Sequence, residues 1–134
     1  MPKIISLQGK GNCGKSVTIN ILRSILSENG YKPVPGMYQQ HGKDFMDIYT
    51  DGTKKIGVTS RGAADNILFK DLYELIKADC DVCICACRST GKTLSAINSF
   101  SRHSKVFLQK THEPSPKKQP IANNMDAITL FLAI

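Results

Sequence analysis

Residues 9–16 read Gly9-Lys10-Gly11-Asn12-Cys13-Gly14-Lys15-Ser16 and satisfy the spacing G-x-x-x-x-G-K-[ST] at every fixed position. The chemistry such a run suits is a grip on polyphosphate. Glycines let the backbone turn tightly and bring its N–H groups against phosphate oxygens with no Cβ in the way. The Lys15 ammonium then reaches the β- and γ-phosphates, and the Ser16 hydroxyl offers a ligand to Mg²⁺. Together with Val17 just beyond it, this run is the candidate nucleotide-binding set. Its context agrees: a nearly all-apolar stretch, residues 3–7, precedes it. Val17, Ile19, Ile21, Leu22, Ile25 and Leu26 follow at helical spacing up to a stop at Gly30. Strand, loop and helix in that order aim loop amides and a helix dipole at one anion.

Phosphoryl transfer also needs a carboxylate near the metal or the nucleophile. The apolar stretch 81–87 ends in Ala86-Cys87-Arg88, where an aspartate would serve, so the search moves to Asp65, beyond the strand that ends near Thr59. Asp65 is read either as that acid, catalytic and metal-binding, or as the N-cap of the helix it opens. Asp47 and Asp51 are weaker alternatives, Asp51 being suited to a hairpin turn. Arg88 and Lys92 flank a glycine-containing loop after residues 81–87. They are read as a clamp on the transferred phosphoryl group or on an anionic acceptor, or else as a plain basic loop. A second triphosphate loop starting at Ala86 is rejected, because alanine crowds the turn where the first loop has Gly9.

The elements that must position these groups alternate. Strands are expected over 3–7, 54–60, 81–87 and 105–109, and helices over 15–29, 65–77 and 93–100. A hairpin is expected between 44–50 and 54–60, turning at Asp51-Gly52. Residues 31–40, with Pro33 and Pro35, read as a short edge strand or irregular connection. Residues 111–124, with three prolines, read as a loop before a final element over 125–134. The pattern predicts one α/β domain over residues 1–134, a three-layer sandwich around a mostly parallel sheet of five to six strands with one antiparallel hairpin.

Length and composition set the outer bounds. At 134 residues with 41% hydrophobic and 22% charged residues, the chain has material for one core and no signature of disorder. No apolar run approaches the roughly 20 residues of a membrane span, and the start lacks a secretory pattern, so the cytoplasm is the expected compartment. Four of the five cysteines, Cys80, Cys83, Cys85 and Cys87, crowd one apolar stretch. Neighbours on one strand face are badly placed to pair, which favours reduced, buried thiols over a disulfide or metal site. The net charge of +7 suits polyphosphate; nucleic acid is admitted but not favoured, since no stacking aromatics interleave with the scattered cations.

On residues 3–30 the chain resembles the P-loop NTPase superfamily. The resemblance implies that superfamily's fold, ATP and Mg²⁺ as cofactors, and phosphate- and metal-binding roles for Gly9, Gly14, Lys15 and Ser16. Lys10 also makes the loop similar to that of the partition and septum-site ATPases, whose extra lysine reaches a nucleotide across a homodimer, although those loops usually carry glycine where Asn12 stands. Residues 55–98 look similar to small bacterial ATP-binding proteins of unassigned role, from which Arg61 and the inserted Ala63-Ala64 depart. Three functions remain in view: a small kinase or NTPase, a partition-type switch that dimerises on ATP, and a non-catalytic nucleotide-binding module.

Overall fold

The computed structural model describes residues 2–10, 13–61, 65–88 and 91–134. Eleven elements follow one another as β1 (Lys3–Gln8), α1 (Lys15–Glu28), β2 (Lys32–Pro33), β3 (Gln39–His41), β4 (Asp44–Thr50), β5 (Lys55–Thr59), α2 (Asp65–Lys77), β6 (Val82–Cys87), α3 (Lys92–Asn98), β7 (Ser104–Gln109) and α4 (Gln119–Leu132). The strands form one seven-stranded sheet in the order β2-β4-β5-β6-β1-β7, with β3 beside β4 as well.

The fold is α/β, but the sheet is mixed rather than mostly parallel. β5, β6, β1 and β7 run parallel to one another, whereas β4 is antiparallel to β5, β2 and β3. The difference arises in residues 31–43. Their prolines argue against a central strand but permit short edge strands, and Pro33 lies in such a two-residue strand on the free side of β4. A second short strand, β3, turns directly into β4 through Gly42, whose φ of 64° suits glycine. At the other end of β4, the hairpin loop spans residues 51–54 and is not a two-residue turn. Asp51 Oδ1 accepts the N–H groups of Thr53 (2.9 Å) and Lys54 (2.7 Å), which makes this aspartate a turn former.

Alternation along the central strands divides the core into two layers. Ile5, Leu7, Val58, Ile84 and Ala86 face Ile19, Leu22 and Leu26 of α1 and Ala127 and Leu130 of α4. Ile4, Met46, Ile48, Cys83, Cys85 and Cys87 face Leu68, Leu72 and Leu75 of α2 and Ile97 of α3. Helices thus cover both sheet faces. The strand cysteines serve as small apolar side chains, and burial pushes the Cys80 and Cys85 thiols up to about 12, far from reactive thiolates. Gly57 lets α2 sit close, since a Cβ there would come 2.7 Å from Leu75 Cδ2.

The last helix begins six residues before the expected final element. Pro120 lies in its first turn, where no intrahelical N–H is required, so a residue read as a loop marker belongs to a helix start. That shift moves Ala122 and Asn123 from a loop into α4. The chain leaves β1 through α1 on one face and β6 through α3 on the other. The carboxyl ends of these strands therefore border the crevice where open α/β sheets take ligands.

Candidate functional site

At the end of β1 the Gly9 N–H still donates to the Cys87 carbonyl (3.1 Å), after which the chain turns toward α1. Gly14 is the N-cap of that helix, with φ 95°, a left-handed conformation costly for any residue with a Cβ. A Cβ on Gly14 would also lie 2.8 Å from Asn123 Oδ1 on α4. One on Gly9 would lie 2.8 Å from Cys13 Sγ and 3.1 Å from Lys110 Cβ. Among the described residues no side chain caps α1, and its first turn holds no acid. The first-turn N–H groups that no helix can satisfy internally, and the positive end of the helix, are therefore left for another acceptor.

Lys15 folds back over the loop, its ammonium donating to the Gly9 carbonyl and to the Lys10 carbonyl (2.9 Å). Partial burial lowers its pKa and Arg88 adds to the lowering, while Cys13 and Cys87 act in the opposite direction. The Ser16 hydroxyl donates to Asp44 Oδ1 at 2.9 Å. Ser60, at the tip of β5, donates to the same oxygen at 3.0 Å and accepts the Phe45 N–H at 3.0 Å. A carboxylate thus stands beside the serine of the loop, and it is Asp44 at the start of β4.

These groups border a cavity of about 890 Å³, within the range of small-molecule sites. Among the described residues its wall carries six cations, Lys10, Lys15, Arg23, Lys43, Arg88 and Lys110, against the two acids Asp44 and Glu113. Two of the six are committed elsewhere. Arg23 lies 3.4 Å from Asp47, donates to Tyr49 Oη at 2.9 Å, and stacks over Phe45 at 4.4 Å from the ring centroid. Lys110 pairs with Asp126 at 2.9 Å. The remaining cations leave a site electrostatically suited to a polyanion.

The expected site residues distribute as follows. Gly14, Lys15 and Ser16 meet at the cavity edge, and Gly9 lies behind them with its carbonyl accepting from Lys15. Lys10, Cys13, Val17 and Arg88 also border the cavity. Gly11 and Asn12 lie outside the described residues. Asp65 is the first residue of α2, and its side chain lies outside the described residues. Lys92 opens α3, is exposed, and is not among the residues lining the cavity. Asp47 is buried against Arg23 and Asp51 serves its turn.

Sequence reasoning missed Asp44, Lys43, Lys110 and Asn123 as residues of the site. The available signal for Asp44 was its position: it opens a strand antiparallel to β5, which brings its amino end beside the carboxyl end of β5. Among the described residues no cluster of three His, Cys, Asp or Glu side chains could hold a metal. A Ser16 hydroxyl with one carboxylate nevertheless fits Mg²⁺, which usually keeps several waters and takes only one or two protein carboxylates beside substrate phosphates.

The opposite wall is held by a buried ion pair. Asp126 accepts from Lys110 Nζ, from Thr111 N–H (2.8 Å) and from Thr111 Oγ1 (2.7 Å), tying α4 to the end of β7 where Thr111, His112 and Glu113 line the cavity. Burial pushes the Asp126 carboxyl up, but the bonds from Thr111 and Lys110 outweigh it and hold the group below its ordinary value. A depressed carboxyl stabilises the fold fully above its unfolded value, about 3.9, and loses that contribution as pH falls through the folded one. Asp126→Asn is therefore expected to cost about 2 kcal/mol at neutral pH. The gap from wild type should close below about pH 4. Urea unfolding at successive pH values measures this, and a gap independent of pH contradicts it.

Comparison with family models, with curated proteins and with solved structures returned no match. No helix among the described residues is long and apolar enough to cross a membrane.

Proposed function

We propose that this chain binds ATP with Mg²⁺ at residues 9–16 and turns it over as a small phosphotransferase or nucleoside triphosphatase of the P-loop class. The observation that carries the reading is the Ser16–Asp44 hydrogen bond beside Lys15, at an uncapped helix start that opens on a basic cavity. The loop and first-turn amides bind phosphate oxygens. Lys15 exchanges the carbonyls of Gly9 and Lys10 for the β- and γ-phosphates.

Ser16 and Asp44 are the residues that hold Mg²⁺, with Ser60 orienting the carboxylate. Held there, Mg²⁺ would supply positive charge against the charge that develops on the transferred phosphoryl group. Arg88 and Lys43 face the same cavity and neutralise the transferred group or an anionic acceptor. The segment Thr111–His112–Glu113–Pro114 supplies the surface for the nucleoside. Five free cysteines, four of them buried, accord with a reducing, cytoplasmic setting.

The test compares two carboxylates. Asp44→Ala is expected to weaken Mg²⁺ affinity in the ATP complex by about 10- to 100-fold while ATP binding in EDTA changes little. Asp65→Ala is expected to leave Mg²⁺ affinity unaltered. Calorimetry with and without the metal reads both. Wild-type Mg²⁺ dependence in Asp44→Ala, or its loss in Asp65→Ala, moves the metal site away from Asp44.

A further inference from the structure

The outer side of α4 is unlike the rest of the surface. Ile121, Met125, Ile128 and Leu132 are 60%, 63%, 50% and 77% exposed. They recur at intervals of four, three and four residues and so form one stripe along the helix. Asp126 is the only charged residue of α4, and it is turned inward to Lys110 and Thr111. The exposed side of a 14-residue helix is thus uncharged and largely apolar on a chain of net charge +7. The other exposed apolar helix side differs: on α2, Ile67, Phe69 and Tyr73 are interspersed with Lys70, Glu74 and Lys77.

We propose that α4 docks against α4 of a second copy of this chain, the two helices running antiparallel across a twofold axis. The spacing selects that occupant. Intervals of four, three and four read the same in both directions, so an antiparallel mate sets Met125 against Ile128 of the partner subunit and Ile121 against Leu132 of the partner subunit. A twofold contact needs that self-complementarity. Charge favours it too: copies carrying +7 repel over most of their surface, and α4 itself contributes no cation to the contact. The exposed parts of the four side chains amount to on the order of 500 Å² per copy. A pair buries about 1,000 Å², at the lower limit for a specific interface. The association is accordingly reversible and in the micromolar range rather than obligate. The same helix carries Asn123 against Gly14, so the interface and the phosphate loop share an element.

Sedimentation equilibrium of the full chain between about 1 and 500 μM tests this, a span that brackets micromolar dissociation constants. The wild-type mass is expected to rise from 14.7 kDa toward twice that value. Met125→Glu and Ile128→Lys, each alone, are expected to stay at 14.7 kDa across the range with unchanged circular dichroism, because both positions are already exposed. Mixing Met125→Glu chains with Ile128→Lys chains is expected to restore the heavier species, since the two new charges meet across the axis. Should either variant lose helix, Leu132→Glu at the final turn serves in its place for the monomer arm. A wild-type mass constant at 14.7 kDa overturns the proposal. Variants that associate like wild type, or a mixture no heavier than its components, overturn it as well.

Discussion

Lys15→Ala is expected to lower the affinity for Mg-ATP by about 100-fold or more while leaving the fold intact. Two charge-assisted hydrogen bonds to phosphate contribute about 1.5–3 kcal/mol each. At 1.4 kcal/mol per tenfold their joint loss reaches at least two orders of magnitude. The fold should not suffer, because among the described residues the free ammonium bonds to the loop carbonyls of Gly9 and Lys10 alone, at the edge of the cavity. Calorimetric titration measures the affinity, and urea unfolding supplies the control. An affinity equal to wild type, with stability preserved, removes residues 9–16 from consideration as the phosphate site. A failure of the α4 interface leaves this result untouched, since the two experiments read different surfaces.

Asp71→Ala is expected to cost about 3–5 kcal/mol of stability, a large share of the 5–15 kcal/mol typical of a domain. Asp71 is completely buried. Its Oδ2 accepts from Thr59 Oγ1 (2.8 Å) and Arg61 Nε (2.9 Å), and its Oδ1 accepts from Arg61 Nη2 (2.6 Å). Removing the carboxylate leaves a mostly buried guanidinium and a buried hydroxyl without their partner. The double variant Asp71→Ala/Arg61→Ala should recover part of the loss, because no unpaired charge then remains. Urea unfolding of the two single variants and the double variant measures the coupling. A loss under about 1 kcal/mol for Asp71→Ala shows that the pair is not the anchor described. The consequence extends to the site: Thr59 and Arg61 flank Ser60, which supports Asp44, so the surviving folded protein should also show weaker dependence on Mg²⁺.

Arg61 illustrates how a contact across the fold escapes the sequence. In sequence it stands four residues before Asp65, whereas its partner Asp71 lies ten residues along, on a helix turned back over the sheet. Lys92 was grouped with Arg88 by proximity in the chain. Only Arg88 lines the cavity, because it ends the strand while Lys92 opens a helix on the face away from α1. The hairpin of β4 and β5 was legible, but Pro33 and Pro35 obscured how β2 and β3 pair with β4. The prolines weigh against strands in general but not against two- or three-residue strands on an edge.

What the sequence determined by itself is what near neighbours determine. The glycine spacing of residues 9–16, the left-handed stop at Gly30, the helical periods of α1 and α2 and the burial of the β6 cysteines all depend on interactions within a few residues. Each was legible without coordinates. Only the tertiary structure decided that Asp44 meets Ser16, 28 positions earlier, that Ser60 supports it, and that Asn123 reaches Thr18 from 105 positions away. Those contacts carry no local signature. They exist because hydrophobic burial folds β4 and α4 against α1, and a side chain's partner is then set by where the chain returns rather than by its neighbours in sequence.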